Sequence, residues 1–340
     1  MSKVRRGLVA GHGDRGVGIR PERLTLAQYL TDWLSGLIVW VRPSTATRYR
    51  GILTVHVIPQ LGGVRLTRLT VSQVNALLAE RLAAGSAPRT VCHIRAVLRK
   101  ALQDTIRADL LWRNVAALAS APHVASRPLD PMTPDEAQAI LSATAPTRIG
   151  AIVATALCTG LRQGEILGLR WADVDLERGR LRVVTALQRF GGSSRLVEPK
   201  SASSRRTIPV APPLVPILRS HRAAQASAQL VGGSAWDEPI PGLVFTTSLG
   251  RPLLGVVVTQ EFHTACARAG LPRRRFHDLR HGTATLLLAG GVDLKTISAL
   301  LGHSTISLTA NTYVGIVPAL TADAMERLGA LLAPVAFESP

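Results

Sequence analysis

The stretch SAPHVASRPLDPM, residues 120–132, constrains the fold more than any other part of the chain. It carries Pro122, Pro128 and Pro131 and has no hydrophobic period, yet it lies between two runs that start and stop like capped helices. Proline removes a backbone donor and clashes with the preceding helical turn, so neither run can continue through it. A chain of 340 residues can bury more than one core. The expectation is two domains, 23–120 and 133–340, joined by a linker at 121–132 and preceded by a basic disordered tail at 1–22.

On the N-terminal side the pattern is helical. TLAQYLTDWL has Thr25 as N-cap, with Leu26, Tyr29, Leu30 and Trp33 on one face. TVSQVNALLAERLAAG opens with a capping box, Thr70 and Gln73, and closes at Gly85. In APRTVCHIRAVLRKALQDTI, Val91, Ile94, Val97, Leu98, Ala101 and Leu102 form one stripe, and Arg89, Arg95, Arg99 and Lys100 lie off it. These segments predict a small helical bundle with basic outer faces. On the C-terminal side, TPDEAQAIL reads as a helix start, with Thr133 at the N-cap, Pro134 at N1 and Glu136 at N3. Helices are followed by two β-like runs, GRLRVVTAL and RRTIPV, flanking the polar segment GGSSRLVEPKSASS. Helices return from about Val256 to the end. The fold class is mainly α with a small β-sheet (α+β).

The formal charge is +18, from 40 basic against 22 acidic residues. Only Lys3, Lys100, Lys200 and Lys295 are lysines, which reflects a drift toward Arg. Drift explains Arg over Lys and leaves the excess over acids unexplained, so a polyanion, nucleic acid first, is the expected partner. Cys92, Cys158 and Cys266 are odd in number and widely spaced, with no CxxC pair, which points to a reducing cytosol. No run of about 18 uncharged apolar residues predicts a membrane span, and the basic N-terminus lacks the apolar core of a signal peptide.

Four stretches place polar groups in apolar surroundings. In CTGLRQGEILGLRW, Gly160 ends one helix, Arg162 enters the next, and Glu165 follows on the same face. A surface ion pair is the bland reading and is worth little. Leu161, Ile166, Leu167 and Leu169 argue instead for a buried helix, where an Arg needs Glu165 or an anionic ligand. In VEPKSASSRRTIPV, Lys200 sits in a hairpin connection; alone, it is a solvated loop lysine. In RRRFHDLRHGTATLLL, His277, Arg280 and His281 share a helix face. A zinc site there fails on two counts: Asp278 stands where the metalloprotease pattern needs Glu, and Arg280 repels a cation. In ALLGHSTISLTANTYVG a helix ends at Gly302, His303 marks the junction, and Tyr313 falls near the end of the next helix. Tyr313 is one of three tyrosines in the chain, and the other two, Tyr29 and Tyr49, lie near the start.

Each signal is weak separately. Together, two Arg, two or three His, one Lys and one Tyr suit metal-free phosphoryl transfer at a phosphodiester. Guanidiniums clamp the non-bridging oxygens, a deprotonated tyrosine attacks, and Lys or His protonates the leaving alkoxide.

Arg162 in TGLRQGE, Lys200 before RRTIPV, then HDLRH, LGHS and NTYVG, resemble in order and spacing the boxes of the tyrosine recombinases, the phage-integrase family. STATRYRGILTVHVIPQLG is similar to that family's helical core-binding, SAM-like domain. The resemblance covers about residues 24–330. It implies that Tyr313 attacks DNA and becomes linked to the 3′ phosphate, that Arg162 and Arg280 hold the phosphate, and that His277 moves a proton of the nucleophile. It further implies that His303 bonds a phosphate oxygen, that Lys200 protonates the leaving oxygen, and that Glu165 and His281 brace these groups from behind. The implied partners are double-stranded DNA with inverted repeats, three more copies of the chain forming a tetramer on two sites (with a monomer free in solution), and an excisionase or DNA-bending protein. No cofactor, metal or ATP is implied, and the location is the cytoplasm, at the nucleoid. Arg89, Arg95, Arg99 and Lys100 are the expected phosphate contacts. The alternatives are a Xer-like chromosome-dimer resolvase, a silent DNA-binding protein of the same fold, and a type IB topoisomerase. Departures from the family pattern are Gly282-Thr283 in place of Thr-Phe, from which local flexibility is expected, and Gly315 where the family often has His. A folded arm-binding domain is expected to be absent or reduced to the tail.

Overall fold

The structure, a computed structural model, describes residues 21–125, 130–198 and 205–302. Lys200, His303, Tyr313, Gly315, the expected C-terminal tail helix, most of the expected basic tail and part of the expected linker lie outside the described residues. The chain divides into two compact units, Met1–Arg127 and Pro128–Pro340.

The first unit is helical. α1 (Leu26–Leu37) starts on a reciprocal box in which Thr25 and Gln28 cap each other's backbone. α2 (Pro43–Ile52) runs through a π turn, Leu53–Val57, into a short helix, Ile58–Leu61. α3 (Val71–Ala83) has the expected Thr70–Gln73 box, and Gly85 turns the chain away at φ +83°. α4 (Pro88–Arg107) buries the predicted stripe, extended by Thr105. Two polar anchors fix α1 on α4: the Tyr29 hydroxyl donates to the Ala101 carbonyl at 2.8 Å, and Trp33 Nε1 donates to Asp104 at 3.0 Å. Burial, and then the nearby Asp104 charge, push the Tyr29 hydroxyl far above its ordinary value. Tyr49 stacks on Trp33 with ring centroids 5.9 Å apart. Both N-terminal tyrosines are thus packing residues.

The second unit is mixed. α5 (Pro134–Thr144) is capped by Thr133, whose hydroxyl accepts from Glu136 N. The Glu136 carboxylate does not return to the cap as its position suggests. Arg274 takes it in a two-toothed ion pair and also holds Asp130. α6 (Gly150–Thr159) is apolar all round and buried, so it forms the centre of the core, and it ends at Gly160 in the left-handed region, φ +62°. α7 (Gln163–Leu167) follows at once.

The strand region departs from expectation. GRLRVVTAL is two strands, β2 (Arg180–Val183) and β3 (Ala186–Phe190), and the polar segment contains β4 (Ser193–Val197). β3 and β4 form a separate hairpin turned by Gly191 and Gly192. β1 (Val174–Asp175), β2 and β5 (Arg206–Pro209) make a three-stranded antiparallel sheet, with Val183 opposite Arg206. Helices return earlier than Val256. α8 (Leu214–Gly232) begins just after β5, and its Pro216 lies in the first turn, where a missing N–H breaks no helical bond. α9 (Gly255–Arg268), α10 (Asp278–Ala289) and α11 (Leu294–Leu301) complete the described part. The class is α+β, as expected from the sequence.

Gly282 is not a point of flexibility. It is buried inside α10, and a Cβ there would lie 2.5 Å from Met132 Sδ. Met132, the last residue of the expected linker, is itself buried in the core. Gly282 is the notch that receives it. Beside it, the Thr283 hydroxyl donates to the Leu157 carbonyl of α6 at 2.9 Å, fastening α10 to the central helix.

Candidate active site

The site is built around the C-terminus of α11. The last carbonyls of a helix have no partner within it and carry its negative dipole end, so they attract cations. Three arginines from three other segments each take one. Arg206 Nε donates to Leu300 O at 2.6 Å, Arg280 Nη2 donates to Leu301 O at 2.6 Å, and Arg162 Nη2 lies 3.4 Å from Gly302 O. Gly302 ends the helix in the left-handed conformation, φ +67°.

Local sequence explains how each arginine arrives. Gly160 lets α6 stop abruptly and brings Arg162 to the N-cap of α7. Its missing side chain also matters, because a Cβ would come within 2.4 Å of Leu301 Cδ2. Arg280 enters from the first turn of α10, 3% exposed, and its second arm donates to Gly160 O at 2.7 Å. One side chain thereby ties the end of α6 to the end of α11.

Glu165 is the acidic centre. Its side chain is 4% exposed, and it binds Arg162 Nη1 at 2.8 Å, the Arg162 backbone N–H at 3.0 Å and Arg206 Nη2 at 3.1 Å. Burial pushes its carboxyl up, but the Arg206 charge and hydrogen bond, followed by Arg162, hold it below the usual carboxylate range. The Arg162 side chain stays 39% exposed, so its pairing leaves one side open to an anion.

His277 is the N-cap of α10, and its ring meets that of His281 edge to face, with centroids 5.1 Å apart. Although His277 is exposed at its surface, the packing around its ring, then the charges of His281, Arg280 and Arg162, push it down to about 4. Burial, with Arg275 and Arg280, also lowers His281. The surroundings of both rings therefore favour the neutral imidazole over the charged one.

Of the residues singled out from the sequence, Arg162, Glu165, His277, Arg280 and His281 gather here. Lys200, His303 and Tyr313 are outside the described residues, with His303 next in sequence after Gly302. Arg206 was missed, because nothing local distinguishes it from Arg205 in RRTIPV.

The expected DNA-contact residues on α4 differ among themselves. Arg89 and Arg99 are exposed. Arg95 is half-buried and donates to the Ala117 carbonyl at 2.8 Å, and Lys100 pairs with Asp104 at 2.5 Å. The stripe placed all four off the core, but it did not show that two of them have partners within the unit. Arg48, from α2, lies 2.6 Å from the His93 ring, on the same side of the unit as the Arg89 charge that acts on that ring.

The same architecture, a helical unit followed by an α+β unit, occurs in solved integrases. The Tn1549 transposon integrase in complex with transposon right end DNA superposes with a TM-score of 0.76 over 90% of this chain and 99% of that one, at 21% identity. A lambda integrase dimer bound to a COC′ core site gives 0.60 over 84% and 97%, at 20% identity. Residues 131–317 match the phage integrase family, and residues 25–80 match the phage integrase N-terminal SAM-like domain. The chain belongs to the phage integrase family, the tyrosine recombinases. It is 30% identical to a tyrosine recombinase XerC-like protein of Caldanaerobacter subterraneus over 93% of this chain and 85% of that one. It is also 30% identical to an integrase of Streptomyces ambofaciens, over 88% and 78%.

Proposed function

We propose that the protein is a site-specific DNA recombinase that cuts and rejoins strands through a 3′-phosphotyrosyl intermediate, without metal or ATP, and that it integrates or excises a mobile element. The observation that carries this reading is the convergence of Arg162 and Arg280 on the end of α11, with neutral His277 beside them. Two guanidiniums at one point stabilise the charge added to a phosphate as it becomes five-coordinate.

The chemistry balances without a cofactor. The Tyr313 oxygen bonds to phosphorus while its proton passes to His277. The bond from phosphorus to the 5′ oxygen breaks, and Lys200 protonates that oxygen. The phosphotyrosyl ester keeps the energy of the diester, so a 5′-hydroxyl from another strand attacks it in reverse. His303 supports the phosphate, and Glu165 keeps Arg162 in place. The DNA lies against basic surfaces of both units, four protomers exchange strands on two sites, and an excisionase or DNA-bending protein sets direction. The reaction takes place in the cytoplasm, at the nucleoid. The relatives named integrase favour a mobile element, and the XerC-like relative supports dimer resolution as the second reading.

The test is a nicked duplex carrying the recombination site. The wild type should form a covalent protein–DNA adduct that survives EDTA, and Tyr313→Phe should bind the duplex and form none. An adduct that maps to Tyr29 or Tyr49, or one that disappears on chelation and returns with a divalent cation, would overturn the assignment.

A further inference from the structure

We propose that Arg206 is a positioning residue of the active site, whose guanidinium locks the Glu165 carboxylate to the C-terminal carbonyl of α11 and so sets where Arg162 stands. The inference rests on the reading of Arg162 as a phosphate clamp.

The contacts form a closed ring. Leu300 O accepts from Arg206 Nε, and Arg206 Nη2 donates to Glu165 Oε2. Glu165 Oε1 accepts from Arg162 Nη1, and Arg162 Nη2 returns to Gly302 O, two residues from the start. Guanidinium is a rigid planar fork. Its Nε and Nη2 arms therefore hold the helix end and the carboxylate at a set separation, which a lysine ammonium, a point charge on a flexible stem, does not reproduce. Arg206 opens β5, opposite Val183, and the sheet fixes its backbone. Its side chain is 8% exposed. An arginine is rarely buried unless paired, and a buried pair is weak evidence of a purely stabilising role, since desolvation offsets the attraction. What the pair contributes here is geometry.

Two cations act on Glu165, Arg162 from its own segment and Arg206 from β5. α7, which carries Glu165, meets β3 through Ala186 and Leu187 and α9 through Gly255 and Thr259, none of which titrates. Cys158 of α6 is kept in its thiol form by burial. Removing Arg206 therefore leaves Glu165 with one cation in a buried setting that raises its pKa. Once protonated, it releases Arg162.

The experiment has two readouts on the full chain. The first is the carbon-13 carboxyl titration of Glu165, assigned with Glu165→Gln. The second is adduct formation on the nicked duplex from pH 5 to 8. In Arg206→Met the Glu165 midpoint should rise, adduct formation at pH 7 should fall by about 10²-fold, and the acid limb of the rate should move to higher pH. That limb should vanish in the Arg206→Met/Glu165→Gln double variant. Arg206→Lys should keep the Glu165 midpoint low and still slow the reaction, because one point charge cannot hold both partners. Should Arg206→Met fail to fold, Arg206→Lys carries both readouts. A wild-type midpoint in Arg206→Met, a loss of rate equal at every pH, or a wild-type rate in Arg206→Lys would overturn the proposal. A wild type that forms no adduct refutes DNA cleavage itself, and the titration then still decides whether Arg206 holds Glu165.

Discussion

Gly282→Ala offers a sharp test of how α10 is seated. In an open helix the change should stabilise by about 1 kcal/mol, because alanine loses less backbone freedom on folding. Here the new methyl would lie 2.5 Å from Met132 Sδ, 3.0 Å from its Cε and 3.3 Å from its Cβ. Ordinary carbon contacts sit at about 3.5–4 Å, so the Met132 side chain has to withdraw by about 1 Å in a packed core. Overpacking of that kind costs about 1–3 kcal/mol. Set against the helical gain, Gly282→Ala should destabilise α10 by about 0–2 kcal/mol. Met132→Ala alone should cost about 2–5 kcal/mol through the cavity it leaves. In the double variant the two changes should partly cancel, with a coupling of about 1–2 kcal/mol, since residues in contact are not additive. Hydrogen exchange on the full chain, read on the amides of α10, measures this local stability without assuming two-state unfolding of two units. Protection of α10 that rises by about 1 kcal/mol in Gly282→Ala, regardless of whether residue 132 is Met or Ala, would refute the notch and restore the expectation of an open, flexible position.

The histidine pair makes a pH prediction. His277 is lowered from 6.5 to about 4, so between those values the unfolded chain binds a proton that the folded one refuses, and stability should fall as pH drops through that window. The imidazole should titrate near pH 4 by proton NMR, and His277→Asn should flatten the stability slope; a midpoint near 6.5 would refute the electropositive surround. Replacing Arg89 and Arg99 should each reduce the slope of log affinity for DNA against log salt by about one unit, whereas Arg95→Ala should leave that slope unchanged and loosen the unit, because its guanidinium holds the Ala117 carbonyl. Equal slope changes at all three positions would place Arg95 on the DNA. Lys200→Ala should be slow on ordinary DNA and largely rescued when sulfur replaces the bridging 5′ oxygen, since a thiolate leaves unprotonated; Arg162→Ala should not be rescued. Equal defects of Lys200→Ala on both substrates would pass the acid role to a histidine.

The features with local causes were legible along the chain. Thr25, Thr70 and Thr133 mark helix starts because a hydroxyl caps amides two or three residues away. Gly160 and Gly302 mark helix ends because only glycine takes the left-handed turn without strain. The apolar stripe of α4 and the pairing of Arg162 with Glu165 follow from the helical period. Local rules failed where they conflicted or were silent. Pro213 and Pro216 masked the start of α8, although a first turn tolerates them. The β3–β4 hairpin stayed hidden in a polar segment because neither of its strands has a fully buried face. Which charges found partners depended on long-range packing. Glu136 turned from its cap to Arg274, 138 residues away, Arg95 reached Ala117, and Arg206 reached Glu165 across 41 residues and Leu300 across 94. An arginine looks the same in sequence whether it faces water or a buried carboxylate. The difference lies in which distant carboxylate or carbonyl the folded core brings within hydrogen-bond reach of it, and no periodicity along the chain encodes that.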